Sequence, residues 1–257
     1  MKFSVCIKQV PDVNAPIQIK QGQLIQDADR MVLNAYDASA VEEALVLSEQ
    51  VDGEVEVILV GPEKGSETIR KALAMGADSG IHIVKEANSS WDSAEYARIL
   101  AAYFKEHQFN IIFTGKQSQD TDSGLAGGML AQRLLLPYTS NAVGISFEND
   151  HLNVTRQGDT GQELLALSPP CLVTCSNDMN EPRIPTLKGI MQSKRKPVNT
   201  ISLSDLGIEE ADINPKTEIL KYEEKPERQP GEKFEGEAGE VAQKVAKLLD
   251  EEQNVIQ

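Results

Sequence analysis

Three features of the chain predict an α/β fold built on a mostly parallel, doubly wound sheet. Short apolar runs alternate with segments of helical spacing through the first half. One run, Ile111 to Phe113, leads into a polar loop and then a small-residue helix start, Ala126-Gly127-Gly128. At 257 residues, the chain is long enough to bury one large core with extensions.

The elements follow in order. Phe3 to Val10 reads as the first strand, and Ile17 to Ile25 as a polar hairpin turning at Gln21-Gly22. Asp37 is placed to cap a helix carrying Ala40, Val41, Ala44 and Leu45 on its inner face. Val55 to Val60 is a buried strand ended by Gly61-Pro62. Ile69, Ala72, Leu73 and Gly76 space the next helix, with Gly76 as its C-cap. Gly80 to Val84 is a short strand. Asp92 or Ser93 opens a helix whose inner face is Ala97, Leu100, Ala101 and Phe104. Phe109 to Thr114 is the strand before the polar loop, and Gly127, Leu130, Ala131 and Leu134 space the helix after it. Ser140 to Phe147, Leu152 to Arg156, Glu163 to Ser168 and Cys171 to Ser176 are short strands expected to extend the sheet in antiparallel fashion. Residues 1–200 are expected to form one α/β domain, with a proline-punctuated loop and short helix at about 178–197. Residues 201–257 form an extended acidic arm, in which 15 acids and 7 bases leave a net of −8.

Composition excludes several function classes. The net charge of −15 argues against nucleic acid as a partner. No apolar run has membrane length, so no membrane insertion is expected. The start, Met1-Lys2-Phe3-Ser4-Val5, enters a strand pattern without a signal or transit peptide, and a cytoplasmic location is expected. Cys6, Cys171 and Cys175 are too few for a disulfide framework and fit a reducing compartment. His82, His107 and His151 are scattered, so Cys171 and Cys175 read as buried thiols and no metal site is expected. No nucleophile–base pair appears, so the chain is not expected to be an enzyme by itself.

Two segments carry candidate function. Strand, polar loop and small-residue helix start is an arrangement that holds phosphate, because first-turn N–H groups and the helix dipole favour an anion. Gly124, Gly127 and Gly128 let a ligand approach the backbone. Asp120 and Asp122 are suited to cap the helix or bind sugar hydroxyls. The spacing is not that of a Walker A loop. On its own, this stretch fits either a nucleotide loop or an ordinary strand-to-helix turn. Ligands in parallel sheets sit beyond the carboxyl ends of the strands, here Cys6-Ile7-Lys8, Val60-Gly61-Pro62 and Thr114-Gly115-Lys116. The second segment, Asn180-Glu181-Pro182-Arg183-Ile184-Pro185-Thr186-Leu187, precedes a short helix with Lys188, Lys194, Arg195 and Lys196. A basic, proline-punctuated loop in an acidic chain is a candidate contact site or an ordinary exposed loop.

Over nearly its whole length the chain resembles the β subunits of electron-transfer flavoproteins. The matching segments are Val5 to Asp12, Asn34-Ala35-Tyr36-Asp37 with Ala40 to Ala44, Glu67 to Asp78, Gly115-Lys116-Gln117 with Asp120, Asp122 and Gly127, and Asn180-Glu181-Pro182-Arg183 with Leu187. The resemblance implies a heterodimer with an α subunit that holds most of the FAD, while the β subunit holds AMP. Carried over residue by residue, the AMP positions are Cys6, Asn34, Ala35, Tyr36, Asp37, Val60, Thr121, Asp122, Ser123, Gly124, Leu125, Ala126, Gly127, Gly128, Met129, Leu130, Ala131 and Gln132. The dehydrogenase-docking positions are Arg183, Leu187, Lys188, Lys194 and Lys196. The implied role is to carry electrons from acyl-CoA or related flavoprotein dehydrogenases to a membrane quinone oxidoreductase. Two alternatives stand beside it: a bifurcating β subunit with a second FAD and NADH, and an adenine-nucleotide-binding sensor module.

Overall fold

The computed structural model describes residues 1–25, 30–85, 92–224, 226 and 230–251. It comprises two compact units, Met1–Lys221 and Tyr222–Gln257. In the first, β1 (Lys2–Ile7), β2 (Gln9–Pro11), β3 (Gln18–Lys20), β4 (Gln23–Ile25) and β5 (Met31–Leu33) precede α1 (Ala35–Val51). Then come β6 (Glu54–Gly61), α2 (Gly65–Met75), β7 (Ser79–Val84), α3 (Ser93–Glu106), β8 (Ile111–Gly115) and α4 (Ala126–Leu134). The unit continues through β9 (Tyr138–Glu148), β10 (His151–Gln157), β11 (Gln162–Leu167), β12 (Cys171–Cys175), α5 (Leu187–Ser193) and β13 (Val198–Ile201).

Nine strands form one sheet in the order β11-β10-β9-β12-β8-β1-β6-β7-β13. From β9 through β12 and β8 to β13 every pair is parallel, and only β10 and β11 add antiparallel pairings. The sheet is therefore the expected α/β architecture. Alternate strand residues face two apolar layers. Val5, Val57 and Phe113 pack with α1 and α2 on one face; Cys6, Ile58 and Ile112 pack with α3 and α4 on the other.

Local chemistry matches the sequence at several points. Asp92 caps α3, its carboxylate accepting the amides of Ala94 and Glu95 at 3.0 and 3.1 Å. Gly76 ends α2, and Gln21 and Gly22, both at positive φ, turn the β3–β4 hairpin. The three cysteines are free and buried, and burial pushes the Cys171 thiol up to about 12.

Four expectations are corrected. The run Phe3 to Val10 is two strands, because the Lys8 amide bonds the Asp37 carboxylate and β2 leaves the large sheet to pair with β5. Asp37 is not the cap of α1: Asn34 holds that position, and Asp37 turns inward from the first turn. Cys171 to Cys175 is not antiparallel but is inserted parallel between β8 and β9. All five of its residues are buried, as a strand covered on both faces requires. Asp120 and Asp122 do not cap α4, whose N-cap is Leu125.

Val198–Ile201 adds an unforeseen edge strand beside β7. Together with buried Ile208, it carries the compact unit past Ile201. In the second unit, Val241, Val245, Leu248 and Leu249 do lie on a helix, α6 (Ala238–Glu251), and none of its residues is buried. Among the described residues no helix is long and apolar enough to cross a membrane.

Candidate functional site

The sheet fixes where a ligand crevice can open. From β1 the chain moves outward through β6 to β7, then returns through α3 to β8 on the other side of β1. The strand order reverses between β1 and β8, and their carboxyl ends diverge there. Asp37 sits at that fork. One of its carboxylate oxygens accepts the Lys8 amide after β1 at 2.7 Å, and the other accepts the Gly115 amide ending β8 at 2.9 Å. Both oxygens accept, which suits the ionised form. Burial nevertheless pushes Asp37 up to about 7, against the lowering effect of those amides.

Asn34 and Gln119 then fasten the polar loop to the start of α1. The Asn34 side-chain amide donates to the Gln117 carbonyl at 2.9 Å and accepts the Gln119 amide at 3.1 Å. Gln119 returns a bond by accepting the Ala35 amide at 3.1 Å. Asp120 pairs with Lys8 at 2.8 Å, and Asp122 accepts from the Gln117 side chain at 3.0 Å. Ser118, Thr121 and Ser123 exchange hydroxyl bonds inside the turn. The loop is thus organised by its own side chains, with Thr121 to Leu125 exposed.

What the loop delivers is the start of α4. Leu125 provides no side-chain cap, and the first-turn amides of Ala126, Gly127 and Gly128 have no acceptor among the described residues. Cys6 and Val60 form buried floor positions at the ends of β1 and β6 on the α4 face. Lys85, just after β7, lies with its ammonium 5.6 Å from the Tyr96 ring centroid. Burial and the nearby Lys8 lower its pKa to about 8. Lys8 and Lys85 thus bring two cationic side chains to this edge, with Lys8 paired to Asp120.

The carried-over residues divide by position. Cys6 and Val60 lie near the carboxyl ends of β1 and β6, Asn34 to Asp37 form the start of α1, and Thr121 to Gly128 carry the loop to a helix start over β8, β12 and β9, whereas Leu130 and Ala131 point into the core. Met129 is half-buried and Gln132 exposed. Gly127 serves the sheet: a Cβ there would stand 2.6 Å from Thr174 and 2.8 Å from Thr114. Lys85, Gln119 and Asp120 also belong to the crevice edge. Asp120 stands out in the sequence as a cap or sugar ligand, whereas the only signal for Lys85 and Gln119 is adjacency to strand ends. A groove of about 770 Å³ between α3, Arg133 and the Asp205–Ile208 turn lies on the flank of the α3–α4 layer, away from this fork, and its lining mixes both charges. No cluster of metal-binding side chains occurs among the described residues.

The second candidate segment runs from the first half of α1 to the opposite end of the sheet. Helix α2 starts at the carboxyl edge after β6 and ends at the amino edge before β7, and α5 packs over that far end. Arg183 grips Glu42 with its amide and guanidinium at 2.8–3.1 Å and reaches Glu49 at 2.8 Å. Asn180 donates to the Ser39 carbonyl and to Glu43, each at 3.1 Å. Thr186 caps α5 by accepting the Gly189 amide at 3.0 Å. The tip is apolar and open: Ile184, Leu187 and Met191 are 88, 76 and 65% exposed. Lys188 and Lys194 are exposed beside it, but Lys196 is directed back onto α2.

Known proteins resemble this chain along its length. The family model for the electron transfer flavoprotein domain matches residues 21–206. The electron transfer flavoprotein subunit beta of Bradyrhizobium diazoefficiens is 37% identical over 254 residues, 98% of each chain. That of Bacillus subtilis is 31% identical over 257 residues, the full length of both. The caffeyl-CoA reductase-Etf complex subunit CarD of Acetobacterium woodii is 33% identical over 258 residues, 98% of each.

Proposed function

The chain belongs to the electron transfer flavoprotein β-subunit family, and from that premise we propose that it is the AMP-holding subunit of a cytoplasmic heterodimeric electron carrier. One observation carries the AMP assignment. An uncapped helix start stands over the carboxyl ends of β8 and β12, with Lys8 and Lys85 at the strand ends after β1 and β7. That donor set fits a phosphate, since free amides, the helix dipole and cationic side chains all favour an anion. Cys6 and Val60 offer an apolar floor for a base. Asn34, Asp37 and Gln119 hold the loop to α1, so the amides are in place before the ligand arrives.

FAD, held mainly by the α subunit, supplies the redox chemistry; AMP supplies none. This chain's own residues bind, shape and dock. The Leu187 tip is the docking point for acyl-CoA or related flavoprotein dehydrogenases, with Lys188 and Lys194 orienting the encounter and Arg183 holding the loop. Exposed apolar side chains on a braced loop suit a brief, specific contact. A membrane quinone oxidoreductase receives the electrons. The acidic arm packs on the α subunit through Val241, Val245, Leu248 and Leu249, a helical face that buries no residue in this chain.

The rival reading places a second FAD, used with NADH, in the same crevice. It is favoured less because the docking segment Asn180-Glu181-Pro182-Arg183 looks like the non-bifurcating branch. Denaturing the purified heterodimer and quantifying the released nucleotides decides between them. One FAD and one AMP is the expected inventory; two FAD would replace AMP with the bifurcating reading.

A further inference from the structure

We infer that Lys196 is a positioning residue of the docking loop: its ammonium ties the end of α5 to the last turn of α2 and so sets where Leu187 stands. The inference rests on the docking reading of that loop. Lys196 Nζ donates to the carbonyls of Leu73, Gly76 and Ala77 at 3.1, 2.9 and 2.7 Å. The last carbonyls of a helix lack partners within it, and a cation is favoured at that end. An ammonium has three N–H donors. All three are engaged here, leaving none for a carboxylate of a docking protein.

The hold is reciprocal. Arg70, one turn before Leu73 on α2, donates to the carbonyls of Ser193 and Lys196 at 2.5 and 2.7 Å. Each segment therefore offers a cationic side chain to the other's unpaired carbonyls. The two backbones are also close: a Cβ on Gly189 would stand 2.5 Å from the Ala74 carbonyl oxygen. Immediately after Lys196, the Pro197 carbonyl accepts the Gly80 amide at 3.0 Å and the chain enters β13. The segment after Leu187 is thus fixed to α2 and to β7, while the Leu187 side chain stays in solvent.

The test is steady-state electron transfer from an acyl-CoA dehydrogenase and its acyl-CoA substrate to the intact heterodimer. Lys196→Met keeps the length of the stem and removes the donors. Its KM for the carrier is expected to rise on the order of 10-fold, with kcat, FAD content and the salt dependence of KM unchanged. In a Leu187→Ala background, the same change is expected to add little, since the side chain being positioned is gone. Hydrogen exchange at the amides of Gly189 to Ser193 is expected to quicken in Lys196→Met. Unchanged exchange there would overturn the positioning role, whichever residue docks. Additive losses with a weakened salt dependence would instead make Lys196 a direct ionic contact. If Leu187→Ala leaves KM at the wild-type value while exchange still quickens, the docking reading fails and the brace between α5 and α2 stands. Arg70→Gln, read the same way, serves if Lys196→Met does not fold.

Discussion

The crevice loop and the docking loop each lead into a short helix, yet they present opposite things to the outside. Before α4, side chains bond one another and the helix start is left uncapped, so backbone amides face outward. Before α5, Thr186 caps the helix and the cations Arg183, Arg70 and Lys196 bind inward, so apolar side chains face outward. Whether the helix start is capped decides which kind of partner it suits. An uncapped start with small residues suits an anion; a capped, braced start with Ile184, Leu187 and Met191 suits an apolar pocket.

The most severe break in this comparison is Gly127→Val. The new side chain meets Thr174 and Thr114, not open space, so α4 must lift from the sheet. A loss of about 3 kcal/mol or more is expected from overpacking, read as a lowered urea midpoint of the heterodimer, with nucleotide loss following from displaced amides. Full stability with lost nucleotide would mean instead that the position faces the ligand. Next in size, Leu187→Ala removes an apolar contact worth about 1–3 kcal/mol. It is expected to raise KM for the dehydrogenase roughly 10-fold or more and to leave FAD content intact. Lost FAD would make the loop a structural element instead.

Two substitutions exchange the chemistry of the helix starts. Leu125→Asp supplies the missing cap, worth about 1 kcal/mol of helix stability. Its carboxylate takes the place of an anion, so thermal stability of the nucleotide-stripped heterodimer is expected to rise while AMP affinity falls. A gain in both would move the phosphate away from α4. Thr186→Ala removes a cap at a cost of about 1 kcal/mol and is expected to weaken docking while sparing nucleotide content.

The smallest effect concerns pH. Asp37, normally near 3.8, is raised to about 7 by burial. A carboxyl raised on folding contributes stability that is full below its unfolded pKa and is lost as pH rises through the folded value. Between pH 5.5 and 8, the unfolding free energy of Asp37→Asn is therefore expected to fall less steeply than that of the wild type, from a lower starting value because one backbone amide loses its acceptor. Equal slopes in urea titrations would show that Asp37 is ionised throughout.

Much of the fold was legible because its signals are local. Asp92 capping α3, Gly76 closing α2 and the Gln21-Gly22 turn depend on neighbours a few residues away. The βα alternation follows from apolar periodicity, and it places the polar loop beyond the carboxyl end of a strand, where the structure has it. Asp37 shows where locality fails. Its sequence context is that of a helix start, but its partners are the amides of Lys8 and Gly115, both distant in sequence. β12 was misplaced in direction because a buried run does not state which strand it will lie beside. Lys196 looks like an exposed lysine in a basic stretch until α2 is set against it.

The sequence by itself determined the class of fold, the polar loop beyond a strand's carboxyl end, and the apolar Leu187 on a proline-framed segment, because periodicity and caps are short-range. Only the tertiary structure decided which polar groups remain available: Asp37 and Lys196 are engaged by backbone groups of other elements, whereas the first-turn amides of α4 have no acceptor among the described residues. Hydrogen-bond capacity is finite, and it is allotted only when distant segments meet.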